Sequence, residues 1–522
     1  MTDPAPRRTI ADVIRRSSKA HPDVQAIVGE GRSVTYAELG SRSDAVASGL
    51  VSQGLVAGDR VAYLARNATE YWELFFAAAK AGVAIVPLNF RLSADEIAWI
   101  LGDAEPAAIL VEDHLAHLLP ADYAGHRLVF AQEGEPQVPP GWTAYETWLA
   151  EQPASDPHRD LAGDALCSLM YSSGTTGRPK GVTTTVEGFL WAVDAFSAQF
   201  EISSSSVSLV PTPYYHIAAG GWSLIALAAG GTIVQFTEVT PATMLSLLLE
   251  HRATHVIMVP TVIQLFITSP EASAADYSSV QHVVYGGSPI SETVMVRAKE
   301  VFGAELSQSY GLTETVGVTT ILGPEDHVVG ATKLRSAGRA VPGVEVAVVD
   351  ADTGAPLPAG EIGEIVTRGP GVTKAYWRRP DETAASFWPG GWFRTGDAGY
   401  LDEDGYVFLK DRIKDLLMSG GENIYPAEVE NAIMAHPAVQ EVAVIGVPSD
   451  RWGETPLAVV VPAAGRTVDP EELISFTRER LAHYKCPTRV EIVDALPRNP
   501  SGKVLKRELR APWWAGHERN IG

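Results

Sequence analysis

The 522-residue chain is poor in cysteine and has no long uninterrupted hydrophobic run. Its two cysteines, Cys167 and Cys486, are too few for a disulfide framework, which favours a reducing compartment and predicts packing roles for both. No apolar stretch reaches the roughly 18 residues of a membrane helix, so we expect no transmembrane segment. The beginning of the chain lacks the apolar region of a secretory signal, and we therefore expect a cytoplasmic protein.

Basic residues are also scarce relative to acidic ones. The chain has 41 Lys and Arg against 63 Asp and Glu, a formal net charge of −22. Because a nucleic-acid-binding protein needs a basic surface, this balance argues against nucleic-acid partners. A local pocket can still attract a small anion. With 46% hydrophobic and 20% charged residues, the composition is that of an ordinary globular enzyme.

Helical and strand-like patterns alternate along the first third of the chain. Residues 44–53 and 70–80 have the spacing of helices, whereas 60–64 and 83–86 are short apolar runs typical of buried strands. Such alternation predicts a layered α/β architecture with parallel strands.

The last hundred residues predict a separate, compact α+β module. Its expected elements are helices at 427–434 and 470–481 and strands at 442–446, 457–461 and 490–493. We therefore expect a large multi-layered N-terminal domain over residues 1–413 and a small mobile α+β domain over residues 414–522.

A glycine-rich segment after a predicted strand has the composition of a phosphate cradle. Glycines let backbone N–H groups approach an anion, hydroxyls add donors, and a lysine neutralises charge. The spacing differs from the common NTPase loop, since Lys180 precedes Gly181 rather than a hydroxyl residue. A flexible surface loop is the alternative. The candidate phosphate-binding residues are Ser172, Ser173, Gly174, Thr175, Thr176, Gly177 and Lys180.

This segment resembles the phosphate-loop signature of the adenylate-forming superfamily, which includes acyl-CoA synthetases, peptide-synthetase adenylation domains and beetle luciferases. Other segments match superfamily motifs in the same order, and the resemblance extends from Thr35 to Lys503. They are Tyr-Gly-Gly-Ser at 285–288, Tyr-Gly-Leu-Thr-Glu-Thr at 310–315, Gly-Trp-Phe-Arg-Thr-Gly-Asp at 391–397, Asp-Arg-Ile-Lys-Asp at 411–415, Ser-Gly-Gly-Glu-Asn-Ile-Tyr-Pro at 419–426 and Pro-Arg-Asn-Pro-Ser-Gly-Lys at 497–503.

The resemblance implies a role for each matched residue. Gly286, Gly287 and Ser288 would line the adenine, on which Tyr310 would stack. Thr313 would contact the α-phosphate, and Glu314 would bind Mg²⁺, which prefers oxygen ligands. The remaining implied roles are ribose binding by Asp397 and Arg412, a hinge at Lys414, passage of the thiol arm at Gly420 and Gly421, and catalysis by Lys503.

The resemblance also locates an acyl site near His216, a gate residue or, alternatively, an ordinary core histidine. Amino-acid-activating members typically carry an aspartate in this region, whereas this chain has Ile217, Ala218 and Ala219. An apolar pocket disfavours an ammonium group and suits a hydrophobic acid. Trp222 is either a wall of that pocket or a core residue.

The function implied is ATP-dependent activation of a hydrophobic acid, fatty or aryl, to an acyl-adenylate, followed by transfer to CoA. ATP, Mg²⁺ and CoA would be required. Because no carrier domain follows Lys503, we expect free CoA as acceptor. The alternatives are a ligase that loads a carrier-protein thiol and a non-catalytic nucleotide-binding protein. The sequence leaves open whether the protein forms a homodimer.

Overall fold

The computed structural model of the protein describes residues 8–172, 179–287, 290, 292–419, 422–449, 451–498 and 504–515. The chain divides into two compact units. The first comprises Met1–Val346 and Thr367–Phe393, and the second comprises Ala347–Val366 and Arg394–Gly522. The domain boundary at 413/414 stays a prediction. Within the described ranges, no helix has both the length and the hydropathy needed to cross a bilayer.

The α-helices of the described residues are numbered along the chain. They are α1 Ala11–Ala20, α2 Tyr36–Ser52, α3 Thr69–Ala81, α4 Ala94–Ala104, α5 Tyr145–Ala150, α6 Val186–Gln199, α7 Ile217–Ala228, α8 Pro241–Glu250, α9 Pro260–Ile267, α10 Pro270–Ser273, α11 Glu292–Phe302, α12 Pro380–Ala385, α13 Pro426–Met434, α14 Pro470–Arg478 and α15 Lys506–Trp514.

The strands are numbered in the same way. They are β1 Gln25–Gly29, β2 Val34–Thr35, β3 Arg60–Leu64, β4 Ala84–Pro87, β5 Ala108–Glu112, β6 His126–Phe130, β7 Thr143–Ala144, β8 Leu166–Ser172, β9 Lys180–Thr185, β10 Val207–Leu209, β11 Thr232–Gln235, β12 His255–Met258, β13 His282–Gly286, β14 Glu305–Tyr310, β15 Thr320–Leu322, β16 Arg339–Ala340, β17 Glu345–Val349, β18 Gly363–Arg368, β19 Phe387–Trp388, β20 Trp392–Leu401, β21 Val407–Arg412, β22 Leu417–Ser419, β23 Glu422–Ile424, β24 Val439–Ser449, β25 Gly453–Pro462 and β26 Arg489–Ile492.

The first unit is built on two large, mainly parallel sheets. One has the strand order β16-β15-β14-β13-β12-β10-β11-β1-β2 and the other β7-β6-β5-β3-β4-β8-β9. Both sheets share one apolar core with helices α2, α3, α6 and α7, to which Val61 of β3, Ile233 of β11 and Trp72 of α3 contribute. Helices α8, α9 and α11 cover the far side of the first sheet, and α4 covers the far side of the second. This confirms the multi-layered α/β prediction.

Local signals explain which element boundaries could be predicted. Strand β3 has the predicted bounds, and α3 is one residue longer at each end than predicted. Gly82, in the left-handed conformation at φ +72°, ends α3. The prediction for α2 began eight residues late. Thr35 and Glu38 form a capping box that starts this helix at Tyr36.

The second unit contains the expected α+β module. A five-stranded sheet has the order β23-β22-β25-β24, with β26 beside β25. Helix α14 begins after Asp469, whose carboxylate accepts hydrogen bonds from two N-terminal amides, and ends at Arg478 rather than at residue 481. Strands β20 and β21 belong to another sheet of order β17-β18-β20-β19, in which β21 pairs with β20. The divisions between the two units fall within β17, β18 and β20.

Candidate functional site

Three of the segments assigned from sequence follow neighbouring strands of the first sheet. Strands β10, β12, β13 and β14 run parallel. His216 follows β10, Gly286 ends β13 and is followed by Gly287, and Tyr310 ends β14 shortly before Glu314. The carboxyl ends of parallel strands meet at one edge of a sheet, where ligands of open α/β sheets bind. The fold therefore brings these segments to one edge.

Close backbone contacts explain two glycines at this edge. A Cβ on Gly286 would lie 2.3 Å from the carbonyl oxygen of Ser309 on β14. A Cβ on Gly311 would lie 2.4 Å from the carbonyl carbon of Gly317. Only glycine permits such approaches, so these two positions fix the paths of the loops after β13 and β14.

Glu314 lies in a single 3₁₀ turn, Thr313–Thr315, directly after β14. Its Oε1 accepts a hydrogen bond of 2.9 Å from the hydroxyl of Tyr376, and its carbonyl accepts one of 2.7 Å from the Thr373 amide. Burial, together with the Glu314 carboxylate, raises the pKa of Tyr376 well above its usual value. The phenol therefore stays protonated and holds one carboxylate oxygen of Glu314 in place.

Lys180 lies beside the same tyrosine. As the first residue of β9 it pairs in register with Ser172 at the end of β8. Its ammonium lies 5.3 Å from the centroid of the Tyr376 ring and forms an ion pair with Glu382 of α12. The structure thus brings together Lys180 and Glu314, assigned to phosphate and metal, through Tyr376.

The segment that carries Tyr376 is tied to β9 by several hydrogen bonds. The Thr183 hydroxyl donates to the Ala375 carbonyl at 2.7 Å, and the Thr373 hydroxyl donates to the Thr183 carbonyl at 2.7 Å. The Trp377 amide donates to the Gly181 carbonyl at 2.7 Å. Sequence reasoning missed Tyr376 and Glu382, because nothing in the spacing of the chain links them to Lys180.

His216 is the residue that precedes α7. Its imidazole is partly buried, 4.5 Å from the Tyr215 ring between centroids, and has no hydrogen-bond partner among the described residues. Burial, together with the nearby Arg91 cation, lowers the pKa of His216 to about 4. The imidazole is therefore neutral at physiological pH, and its gate role stays a prediction.

The first turns of α7 combine apolar side chains with free space. Ile217, Ala218 and Ala219 precede Gly221, which is buried. Apart from its chain neighbours and the backbone of its own helix, the nearest described atom to a Cβ placed on Gly221 would be Cδ1 of Ile217, at 3.8 Å. Trp222 belongs to the core instead, 2% exposed and 5.4 Å from the Phe200 ring between centroids.

In the second unit, the structure brings together the two residues assigned to ribose. Asp397 on β20 and Arg412 on β21 are register partners, with Nε of Arg412 2.8 Å from Oδ1 of Asp397. The Asp397 side chain is only 10% exposed. Nη1 of Arg412 also donates to the Thr395 carbonyl at 3.1 Å. The guanidinium thus compensates the charge of this buried carboxylate.

Several assigned residues lie outside the described residues, and their roles stay predictions. These are Ser173, Gly174, Thr175, Thr176, Gly177, Ser288, Gly420, Gly421 and Lys503. Lys414 lies in the 3₁₀ turn Ile413–Asp415, but its side chain is likewise not described.

A parallel-sheet edge whose loop paths are fixed by glycines is the place where open α/β sheets bind their ligands. The family profile described as AMP-binding enzyme matches residues 14–377, and the one described as AMP-binding enzyme C-terminal domain matches residues 428–503. The chain belongs to the AMP-binding enzyme family and is an AMP-forming acid–thiol ligase.

Individual relatives match over nearly the whole chain. A fatty acid–[acyl-carrier-protein] ligase, ScoC, from Streptomyces coeruleorubidus is 37% identical, covering 98% of both chains. A feruloyl-CoA synthase from an Amycolatopsis species is 40% identical over 95% of this chain and 97% of its own. The crystal structure of ATP-bound MatB from Rhodopseudomonas palustris is similar with a TM-score of 0.86 and 33% identity, covering 96% of this chain and 99% of its own.

Proposed function

We propose that this ligase activates a hydrophobic monocarboxylic acid, fatty or aryl, and transfers the acyl group to CoA. The observation that carries the acid class is the start of α7, where Ile217, Ala218 and Ala219 precede the space beside Gly221. An α-amino acid would bring an ammonium group with no carboxylate offered by these positions. Burying that charge unpaired costs several kcal/mol.

The charge near His216 favours the same class of acid. Arg91 lies close enough to lower the pKa of His216. A guanidinium there attracts a carboxylate and repels an ammonium. A substrate with an uncharged acyl chain along α7 and its carboxylate toward the N-terminal end of this helix fits both the apolar residues of α7 and the Arg91 cation.

In the first half-reaction, a carboxylate oxygen attacks the α-phosphorus of ATP and pyrophosphate leaves. The step gathers negative charge, and we assign its compensation to Lys180 and Lys503. Thr313 would donate to the α-phosphate, and Tyr310 would stack on the adenine. Asp397, oriented by Arg412, would accept the ribose hydroxyls.

Magnesium fits the donor chemistry of Glu314. Its carboxylate is the hard oxygen ligand that Mg²⁺ prefers. The Tyr376 hydroxyl orients this carboxylate by donating a hydrogen bond to one of its oxygens. When bound, the ion would neutralise charge on the phosphates.

In the second half-reaction, a thiol attacks the acyl carbonyl and displaces AMP. We assign the hinge for this change to Lys414, at the proposed boundary between residues 1–413 and 414–522. Gly420 and Gly421 would let the slender thiol arm pass close to backbone.

A carrier-protein thiol is the second candidate acceptor, because ScoC is named a ligase to acyl carrier protein whereas the Amycolatopsis relative is named a CoA synthase. Thioester formation measured with CoA and with a phosphopantetheinylated carrier, each offered alone, separates the two. We expect CoA to be used. Thioester formation with the carrier but not with CoA would contradict the CoA assignment.

Pyrophosphate release across fatty acids of graded length and several aryl acids tests the acid class. The matched pair is leucine and 4-methylpentanoate, which differ by the amino group. We expect turnover only with 4-methylpentanoate. Equal turnover of the two acids would contradict the proposed pocket.

We also propose a cytoplasmic location, where ATP and CoA are available; both buried cysteines, Cys167 and Cys486, are free thiols, in keeping with it. The acid and CoA are the expected partners. Analytical ultracentrifugation would decide the question of a homodimer.

A further inference from the structure

The lysine assigned to nucleotide phosphate is already paired with an acidic residue of its own chain. The ammonium of Lys180 contacts Oε2 of Glu382, with 26% of the lysine side chain and 39% of the glutamate side chain exposed. Both groups are therefore reached by solvent. A phosphate that approached Lys180 would meet the carboxylate of Glu382.

Neighbouring contacts hold Glu382 at this place. It lies on α12, and the Thr383 hydroxyl accepts a hydrogen bond of 3.0 Å from the Tyr376 amide. Nε of Arg379 lies 3.8 Å from Oε1 of Glu382, while Nη2 of Arg379 bonds Oδ1 of Asp103 at 2.8 Å. The carboxylate is thus held between two cations by the same segment that supplies Tyr376.

We propose that Glu382 is an internal substitute for a nucleotide phosphate, which keeps Lys180 compensated and oriented until ATP displaces it. The inference rests on the proposed function, since it takes Lys180 as a phosphate-binding residue. Glu382 then acts as a positioning residue that competes with the ligand. A carboxylate and a phosphate repel each other, so both cannot share one ammonium at full strength.

The competition has a measurable direction. Removing the charge of Glu382 while keeping its shape frees Lys180 for the nucleotide. Because the pair is partly exposed, the gain in affinity is modest, about three- to fivefold. The acid and the thiol do not compete for Lys180, so their KM values should not change.

The test is calorimetric binding of α,β-methylene-ATP with Mg²⁺, without acid, to the full-length protein. We expect Glu382→Gln to lower the Kd about three- to fivefold. The matched control is Glu300→Gln, which removes an exposed partner of Arg297 on α11 and should leave the Kd unchanged. Thermal unfolding without ligand verifies that each variant is folded.

A double variant separates the inference from the function on which it rests. Lys180→Ala should weaken nucleotide binding, and adding Glu382→Gln to it should then have no further effect. Tighter binding that persists without Lys180, or an unchanged or higher Kd in Glu382→Gln alone, would overturn the role of Glu382. Unchanged binding in Lys180→Ala would overturn the phosphate assignment itself, and with it this inference.

Discussion

The charged pair of Asp397 and Arg412 in the second unit and that of Lys180 and Glu382 in the first unit are built in different ways. In the second unit, Asp397 and Arg412 face each other on adjacent antiparallel strands, so their contact follows from the pairing of β20 with β21. In the first unit, Lys180 meets Glu382 only because a segment distant in sequence packs against β9. A pair made by local strand pairing can be predicted from motifs, whereas a pair made by tertiary packing cannot.

The largest expected effect is the loss of adenylation rate when Lys503 is replaced. Lys503, assigned to the second unit's C-terminal region, should serve adenylate formation only. Loss of one preorganised charge costs about 10²–10³ in rate, so Lys503→Ala should lose that much in ATP-dependent adenylation. Synthetic acyl-adenylate plus CoA should still give thioester at nearly the wild-type rate. Equal loss in both half-reactions would remove the assignment.

The locally built pair should show the next largest effect. Asp397→Asn keeps the shape but removes the charge that Arg412 compensates. A hydrogen bond to a charged group contributes about 1.5–3 kcal/mol, so KM for ATP should rise about 10- to 100-fold. Steady-state kinetics with ATP and with 2′,3′-dideoxy-ATP checks the cause. If the variant and the wild type discriminate equally between these nucleotides, Asp397 does not bind ribose.

Replacing Tyr376, which links Glu314 to Lys180 in the first unit, should have a smaller effect on activity. Tyr376→Phe removes the hydroxyl that holds Glu314 but keeps the ring beside Lys180. Loss of a residue that orients a metal ligand typically costs about tenfold or more in metal affinity. The Mg²⁺ concentration for half-maximal adenylation should rise about tenfold, with KM for the acid unchanged. Unchanged Mg²⁺ dependence would leave Tyr376 a purely structural role.

The acid pocket in the first unit should show the smallest effect. Gly221→Ala places a methyl group in the space beside α7, which should raise KM for the longest accepted acid about three- to fivefold without affecting KM for ATP. The control is Gly220→Ala, whose Cβ would lie 3.1 Å from the Tyr214 carbonyl oxygen. That variant should lose thermal stability rather than acid preference. If Gly220→Ala changes the acid preference and Gly221→Ala does not, the pocket lies elsewhere.

The layered architecture and the α+β module could be predicted because both depend on local periodicity, and the end of α3 could be predicted from Gly82. The resemblance assigned Asp397 and Arg412 to the same ribose; the structure brings the two side chains into contact, and their role stays a prediction. The sequence could not predict Tyr376 or Glu382, since their partners depend on how Thr373–Trp377 packs on β9. Motif reasoning names single residues, whereas their ionic partners depend on the tertiary structure.

The central claim is that the acid attacks the α-phosphorus of ATP, and isotope transfer tests it most directly. A turnover with ¹⁸O-labelled 4-methylpentanoate, ATP, Mg²⁺ and CoA is followed by mass spectrometry of the products. We predict that one carboxylate oxygen appears in AMP and none in pyrophosphate. Label in inorganic phosphate with ADP formed, or no label in any nucleotide product, would contradict an acyl-adenylate.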